Sequence, residues 1–372
     1  MTTDSLPSRR IRQALRTAFV ADALAMPVHW FYNPGDIFRA FPGGVKAFKP
    51  APSHHPSSIM SLHSTKQGGR QRGRSTAGKR EIIGDVILKG RRRFWGQSNC
   101  HYHHGMQAGD NTLNAHCARV LMRTLENDCA RYRKDHYLDA YIEFMTADSP
   151  RHNDTYAESC HRGFFANLEG GRPARDCGAV THDTASIGGL VTIAPLVFAL
   201  RLADVPLDVV QQHCREHLWL THPDSTLAGI CAAYVVLLDD LLKGDGPDAA
   251  REALVRCARE SADASVVHLA EKSQSDFDVI GGIYSPACYI SGAWPGVLYL
   301  ALRYLDDSYA GLVANTNLGG DNVHRGFVLG TILGLVNDSA VNALHHGLRH
   351  GQELDREIDG LVSVARDAAG TQ

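Results

Sequence analysis

Among the nine cysteines no two form a CxxC pair, and none has the close spacing of a small disulfide scaffold. An odd number of scattered thiols reads as buried side chains in a reducing cytoplasm, and excludes a disulfide framework or a zinc knuckle. Net charge is also lacking: 38 Lys and Arg stand against 40 Asp and Glu, a formal charge of -2. That removes any global electrostatic case for nucleic acid or an anionic membrane as partner. The opening Met1-Thr2-Thr3-Asp4-Ser5 has no apolar run of the secretory kind. The longest apolar stretch, around residues 190–202, is too short to span a bilayer. A cytoplasmic protein is therefore expected. Period-2 alternation does not recur, so sheet should be minor, and no repeat with a period of about 20–50 residues is visible.

What is present is an ordinary globular balance, 44% hydrophobic and 21% charged over 372 residues, enough for one large helical domain. Apolar residues recur at helical spacing over residues 9–25 and are stopped by Pro27. After Asn114 the pattern is almost wholly helical, with helices expected near 111–127, 135–146, 153–168, 183–203, 206–219, 223–243, 247–261, 285–305 and 320–337. Between the first helix and these lies a segment, 43–107, punctuated by Pro50, Pro52 and Pro56 and by a Gly- and Arg-rich run from Lys66 to Arg80. So long an irregular stretch often forms a lid. The run Gly68-Gly69-Arg70-Gln71-Arg72-Gly73-Arg74 is no P-loop, because it lacks the Gly-Lys-Ser/Thr end. The expected fold is all-α: a single large orthogonal helical bundle over 1–345, with a long irregular insertion between its first and second helices. Residues 346–372 read as a polar C-terminal extension.

Two helix starts carry the chemistry. Gly319-Gly320-Asp321-Asn322-Val323-His324 bends the chain sharply just before a lone acid, and an apolar helix pattern follows it. Gly109-Asp110-Asn111-Thr112-Leu113-Asn114 does the same about two hundred residues earlier. Oxygen-rich helix starts far apart in sequence can together hold a hard cation or a sugar hydroxyl.

With Ala21-Asp22-Ala23-Leu24-Ala25-Met26-Pro27-Val28-His29, and with Ile193-Ala194-Pro195-Leu196 plus Thr221-His222-Pro223, these blocks make the chain recognisable. It resembles the ADP-ribosylglycohydrolase family, which includes the dinitrogen-reductase-activating glycohydrolases and the J-type lens crystallins. The resemblance implies two metal ions held between a Thr-Asp-Asp step and an Asp-x-Asp-Thr step. Thr112 and Asp321 match that pattern. Leu113 and Asn114 stand where two carboxylates are expected, and Val323 and His324 replace the second Asp and the Thr. With those carboxylates gone, two tightly bound ions are not expected. The alternatives are one Mg2+ held by Thr112, Asn114, Asp321 and waters, or no ion; no organic cofactor is implied. A purely structural alternative has Asp321 capping its own helix and Asn114 bonding locally.

Catalytic candidates are Asp321, Asp22 on the inward face of the first helix, His29, which replaces a family Glu, and His104 of the His101-Tyr102-His103-His104 step. Candidate substrate-binding residues are Asn111, His182, Asp183, His222, Gly319, Gly320, Asn322 and His324. Imidazoles in place of carboxylates would shift metal preference from magnesium toward zinc. Thr221-His222-Pro223 also reads simply as a helix cap. The expected function is hydrolysis of an N- or O-glycosidic bond at ADP-ribose or a related ribosyl group. The substrate would be a small ADP-ribose-like or nucleoside-like molecule, or an ADP-ribosylated protein. The alternative is an altered family member acting as a ligand-binding or J-crystallin-like structural protein.

Overall fold

Gly326, Gly330 and Gly334 recur every fourth residue of the helix Asn322–Val336 and so share one face. That face lies against the helix Leu6–Ala25 so closely that an added Cβ would stand 2.8 Å from Thr17 O at Gly330 and 2.7 Å from Ala14 Cα at Gly334. Gly326 meets Ala21 O at an ordinary 3.5 Å, so the rising numbers of one helix meet the falling numbers of the other and the pair is antiparallel. The helix Asn322–Val336 is apolar on its other faces too, whereas Leu6–Ala25 turns Arg9, Arg12 and Arg16 outward; Leu15, Phe19, Phe327, Val328 and Ile332 are buried. Burial on every side of the helix Asn322–Val336 makes this seam the centre of the core. In the computed structural model, residues 5–71, 80–272, 274–337 and 341–370 are described.

Further helices surround the seam, among them Leu113–Asn127, Ile193–Leu202, Ser225–Lys243 and Ile290–Arg303. Among the described residues there is no strand, only isolated bridges such as Ser186 with Tyr289. The fold is all-α, as the sequence led one to expect. Helix starts follow cap chemistry: Asp224 accepts from Leu227 N at 2.9 Å and Asp307 from Ala310 N at 2.9 Å. Three helices begin later than periodicity suggests, at Ser159, Ile193 and Ile290. The residues just before each belong to extended or tight-turn segments whose polar groups are used elsewhere. The helix Ser225–Lys243 is long and apolar enough to cross a bilayer by length and composition. It nevertheless packs inside the bundle with Tyr234, Leu237 and Leu238 buried.

Among the described residues the 43–107 segment contains only short turns, including Met60–Leu62 and Arg92–Trp95. It is nonetheless packed: Met60, Ile83, Ile87 and Trp95 are buried, and Trp95 Nε1 donates to Thr155 O at 3.0 Å. Arg72, Gly73 and Arg74 of its Gly-Arg run lie outside the described residues. The polar C-terminal segment, expected to extend, instead forms the helix Gly351–Ala369. Its Leu354, Ile358, Leu361 and Val362 recur at helical spacing and are buried against Leu113–Asn127 and Ile193–Leu202. Arg119 grips Glu357 with two bonds of 2.6 and 2.9 Å, fixing that helix to the bundle.

The seam makes a prediction. Gly334→Leu forces backbone apart and should cost on the order of 1–3 kcal/mol or more, read as a lower urea midpoint. Gly229→Ala, on the helix Ser225–Lys243 with no described atom within 4 Å of its new methyl, should stabilise the fold by roughly 0.5–1 kcal/mol and raise the midpoint. Equal effects in the two variants would refute the packing argument.

Candidate active site

Gly319 and Gly320 have φ of 68° and 65°, and a Cβ on either would collide with a carbonyl, Phe31 O at 2.1 Å or Pro286 O at 2.0 Å. Only glycine permits that approach. It allows Trp30 N to donate to Gly320 O (2.7 Å), Gly320 N to Phe31 O (2.8 Å) and Asp321 N to Pro286 O (2.8 Å). Arg325, fully buried, braces the same corner by donating to Gly319 O at 2.8 Å and Asn315 Oδ1 at 2.8 Å. Burial lowers its pKa to about 10, which leaves it charged at neutral pH.

Asp321 does not cap the helix it precedes. Its Oδ1 lies 2.9 Å from His29 Nε2 and 2.8 Å from His324 Nδ1, and its Oδ2 is buried with no partner among the described residues. Burial pushes the acid up, but the charge of His324 and the hydrogen bond from His29 outweigh it and hold the carboxyl below the usual range. His324 responds the other way. Burial would lower it, yet Asp321, Glu158 and Asp22 raise it to about 10. His29 is pulled down to about 3, chiefly by burial.

A chain of contacts runs back from this point. His29 Nδ1 lies 2.8 Å from His103 Nε2, and His103 Nδ1 lies 2.8 Å from Asp154 Oδ1. Asp154 also accepts from Leu113 N (2.8 Å) and Tyr156 N (3.1 Å). Burial raises this acid, but the charge and hydrogen bond of His103 keep it ionised. His29 stacks on Trp30 with centroids 3.8 Å apart.

The other helix start is tied to the first helix. Asp22 accepts from Thr112 N (2.9 Å), Thr112 Oγ1 (2.5 Å) and Asn111 Nδ2 (2.8 Å). Burial nonetheless raises its pKa. Asn114 Nδ2 donates to Glu158 Oε2 at 2.7 Å, and Asn114 Oδ1 meets His161 Nε2 at 2.8 Å. Glu158 in turn places Oε1 3.7 Å from His324 Nδ1. The two helix starts therefore converge through Glu158, whose own pKa is raised by burial and by Asp321.

Glu158 opens into a cavity of about 300 Å³, at the lower end of small-molecule sites. Trp30, Tyr32, Tyr102, Tyr156 and Tyr289 supply aromatic walls, and the 43–107 segment contributes Ser57, Ile59, His63 and Arg70. His182, Asp183 and His222 also face it. His182 Nε2 is 2.9 Å from Asp183 Oδ1, and Thr221 Oγ1 is 2.8 Å from His222 Nδ1. Asp224, not Thr221, caps the helix that follows.

The structure thus brings His29, Asp321 and His324 together and sets His182, Asp183 and His222 on the cavity wall. Asp22, Asn111 and Thr112 form a hydrogen-bonded knot behind it. Asn322 is buried, with Nδ2 on Thr316 O at 2.8 Å. His104 stacks on Phe94 at 4.7 Å, and its neighbour His103 is the residue that meets His29. Sequence reasoning missed His103, Asp154 and Glu158. The two acids lie in 153–158, which periodicity assigns to a helix but which is extended up to the helix Ser159–Glu169. An acid directly ahead of a helix start was the available signal. A pair of magnesium ions does not fit these donors: Leu113 and Val323 are apolar and buried, Asn114 is engaged at both ends of its amide, and the Thr112 hydroxyl donates to Asp22.

A family model described as ADP-ribosylglycohydrolase matches residues 3–370. A solved structure described as an ADP-ribosylglycohydrolase-related protein complex is similar over 96% of this chain and 99% of that one, with a TM-score of 0.59 at 16% identity. No curated protein matches.

The buried histidines generate a pH prediction. Burial lowers His217 to about 3 and His55 and His152 to about 4. An unfolded histidine titrates near ~6.5, so the unfolded state binds more protons between these values and stability must fall as pH drops below about 6.5. Each such group contributes about 1.4 kcal/mol per pH unit in that window. Urea midpoints should decline steeply from pH 6.5 to 4.5 with a slope of more than one proton; a flat profile would refute neutral burial.

Proposed function

This chain belongs to the ADP-ribosylglycohydrolase family, and from that premise we propose that it hydrolyses the glycosidic bond of an ADP-ribose-like substrate with Glu158 as the proton acceptor. The observation that carries this reading is a carboxyl with a raised pKa opening into an aromatic cavity. Water attacks the anomeric carbon as its bond to the leaving nitrogen or oxygen breaks, and Glu158 takes the water's proton. A base of this kind works best with a pKa near the operating pH, which burial and Asp321 favour. His182, ion-paired to Asp183, returns a proton to the leaving group. Asp321, His324 and Asn114 are positioning residues that act through Glu158. Asp22 and His29, whose hydrogen bonds are spent on Thr112, Asn111, His103 and Asp321, have no role in proton transfer.

The cavity chemistry suits the substrate class. Its tyrosines and Trp30 offer faces for a base to stack on, and the exposed Arg70 offers a guanidinium fork for a diphosphate. The second reading, a non-catalytic ligand-binding protein, is favoured by Leu113, Asn114 and Val323, which stand where the resembling family has carboxylates.

Glu158→Gln keeps the shape and the Asn114 contact, so it should melt within a few degrees of wild type. Its kcat on ADP-ribosylated peptides and free ADP-ribosides should fall by about 10²–10⁴-fold. Wild-type protein that binds ADP-ribose by calorimetry but turns over none of these substrates would favour the non-catalytic reading. Unchanged kcat in the variant would remove Glu158 from the chemistry.

A further inference from the structure

We propose that Arg162 is a positioning residue: its buried guanidinium latches the hairpin 62–71 onto the cavity wall, and Arg70 binds the anionic part of the substrate only while that latch holds. The part given to Arg70 rests on the hydrolase reading, whereas the latch is independent of it. Arg162 is 1% exposed, and its hydrogen-bond acceptors among the described residues are all uncharged. It donates to Ala157 O at 2.6 Å, to Gln67 O and Tyr156 Oη at 3.4 Å, and to Gly69 O at 3.3 Å. The guanidinium lies over the rings of Trp95 and Tyr156, 5.2 and 5.8 Å from their centroids. A buried arginine kept for stability is ordinarily matched to a carboxylate, as Arg119 is to Glu357. Arg162 instead spends its planar fork on two carbonyls of one surface turn.

The turn has little else to hold it. The hairpin closes through Ser64 N to Gly69 O at 3.0 Å and Gln71 N to Leu62 O at 2.9 Å, and so small a hairpin is not stable by itself. At its base Thr65 O accepts from Ile83 N at 2.9 Å and Lys66 pairs with Glu81 at 3.6 Å. Beyond that point the tip Gln67-Gly68-Gly69-Arg70 has no apolar side chain to bury, and Gln67 and Arg70 are exposed. Gly68 lies so close to the helix Ser159–Glu169 that an added Cβ would stand 2.8 Å from Ser159 O. The tip therefore rests on one guanidinium and one glycine contact.

The latch is built into the same helical turn as the proposed base, because Arg162 N donates to Glu158 O at 3.1 Å. Held there, the hairpin places His63, Gly69 and Arg70 on the cavity wall. His63 Nδ1 lies 3.0 Å from Tyr156 Oη, the same hydroxyl that Arg162 meets. Release of the tip would carry Arg70 off the wall while Glu158 stays in its turn of helix. Substrate binding is then weakened and the chemical step is not. The linkage runs both ways: a ligand that grips Arg70 holds the hairpin down by the same factor that the latch improves its binding.

Hydrogen exchange on the full chain without ligand reads the latch, through the amides of Ser64 and Gln71. Arg162→Lys keeps the charge and a donor for Ala157 O but has no fork for two carbonyls. It should quicken exchange at both amides by about 10-fold and leave the helix Ser225–Lys243 unchanged. Gly68→Val, which keeps Arg162 and pushes the tip off Ser159 O, should do the same; if Arg162→Lys does not fold, this variant decides. For the coupling, Arg162→Lys should raise KM and the calorimetric Kd for ADP-ribose by about 10-fold with kcat within about twofold of wild type. Arg70→Ala should match it, and the double variant should be no worse than either single one, since one residue acts through the other. Unchanged exchange in both hairpin variants overturns the latch. KM effects that multiply, or a fall in kcat at unchanged KM, overturn its action through Arg70. If wild type neither binds ADP-ribose nor turns over any ADP-ribosyl substrate, the hydrolase reading falls while the exchange data still decide the latch.

Discussion

Trp30 N–H donates to Gly320 O, and Phe31 O accepts from Gly320 N–H in return, so a short stretch after the first helix is laced to the bend before the helix Asn322–Val336. Both glycines are required, since any side chain there would strike a carbonyl. This lacing fixes His29 and Asp321 within hydrogen-bond distance although 292 positions separate them. Arg325 then covers the carbonyls that the bend leaves inside the protein. Without the corner, an acid, two imidazoles and a guanidinium would be buried with nothing to meet, at a cost of several kcal/mol for each ion.

From that corner the arrangement spreads in two directions. Inward, His103 and Asp154 carry hydrogen bonding to the start of the helix Leu113–Asn127, so an acid that orders the site also satisfies Leu113 N. Outward, Glu158 joins Asn114 to His324 and presents its carboxyl to the cavity. The aromatic walls are themselves interlocked: Tyr156 stacks on Trp95 at 5.2 Å and meets Trp30 edge-on at 5.0 Å. Rigid walls reduce the ordering cost of binding a flat ligand.

Much of this was legible in the residues. The Gly-Gly-Asp bend, the helical period after Asn114 and the irregular 43–107 segment each carry a local signal, because glycine conformation and apolar spacing are local properties. Partners are not. Nothing in His101-Tyr102-His103-His104 tells which imidazole turns inward; packing of His104 on Phe94 decides it. Asp154 and Glu158 were hidden by a helical pattern that continues in sequence after the backbone has straightened. The C-terminal helix was hidden differently: its charged residues dominate the composition, while Leu354, Ile358, Leu361 and Val362 form a narrow stripe that matters only once Arg119 and the bundle are there to receive it.

The glycine stripe has one more consequence. It joins the two helices whose adjoining ends carry Asp22 and Asp321, so it works like the pivot of a pair of tongs. A slight splaying at residues 14 and 334, deep in the bundle, would be felt as a changed grip at the tips.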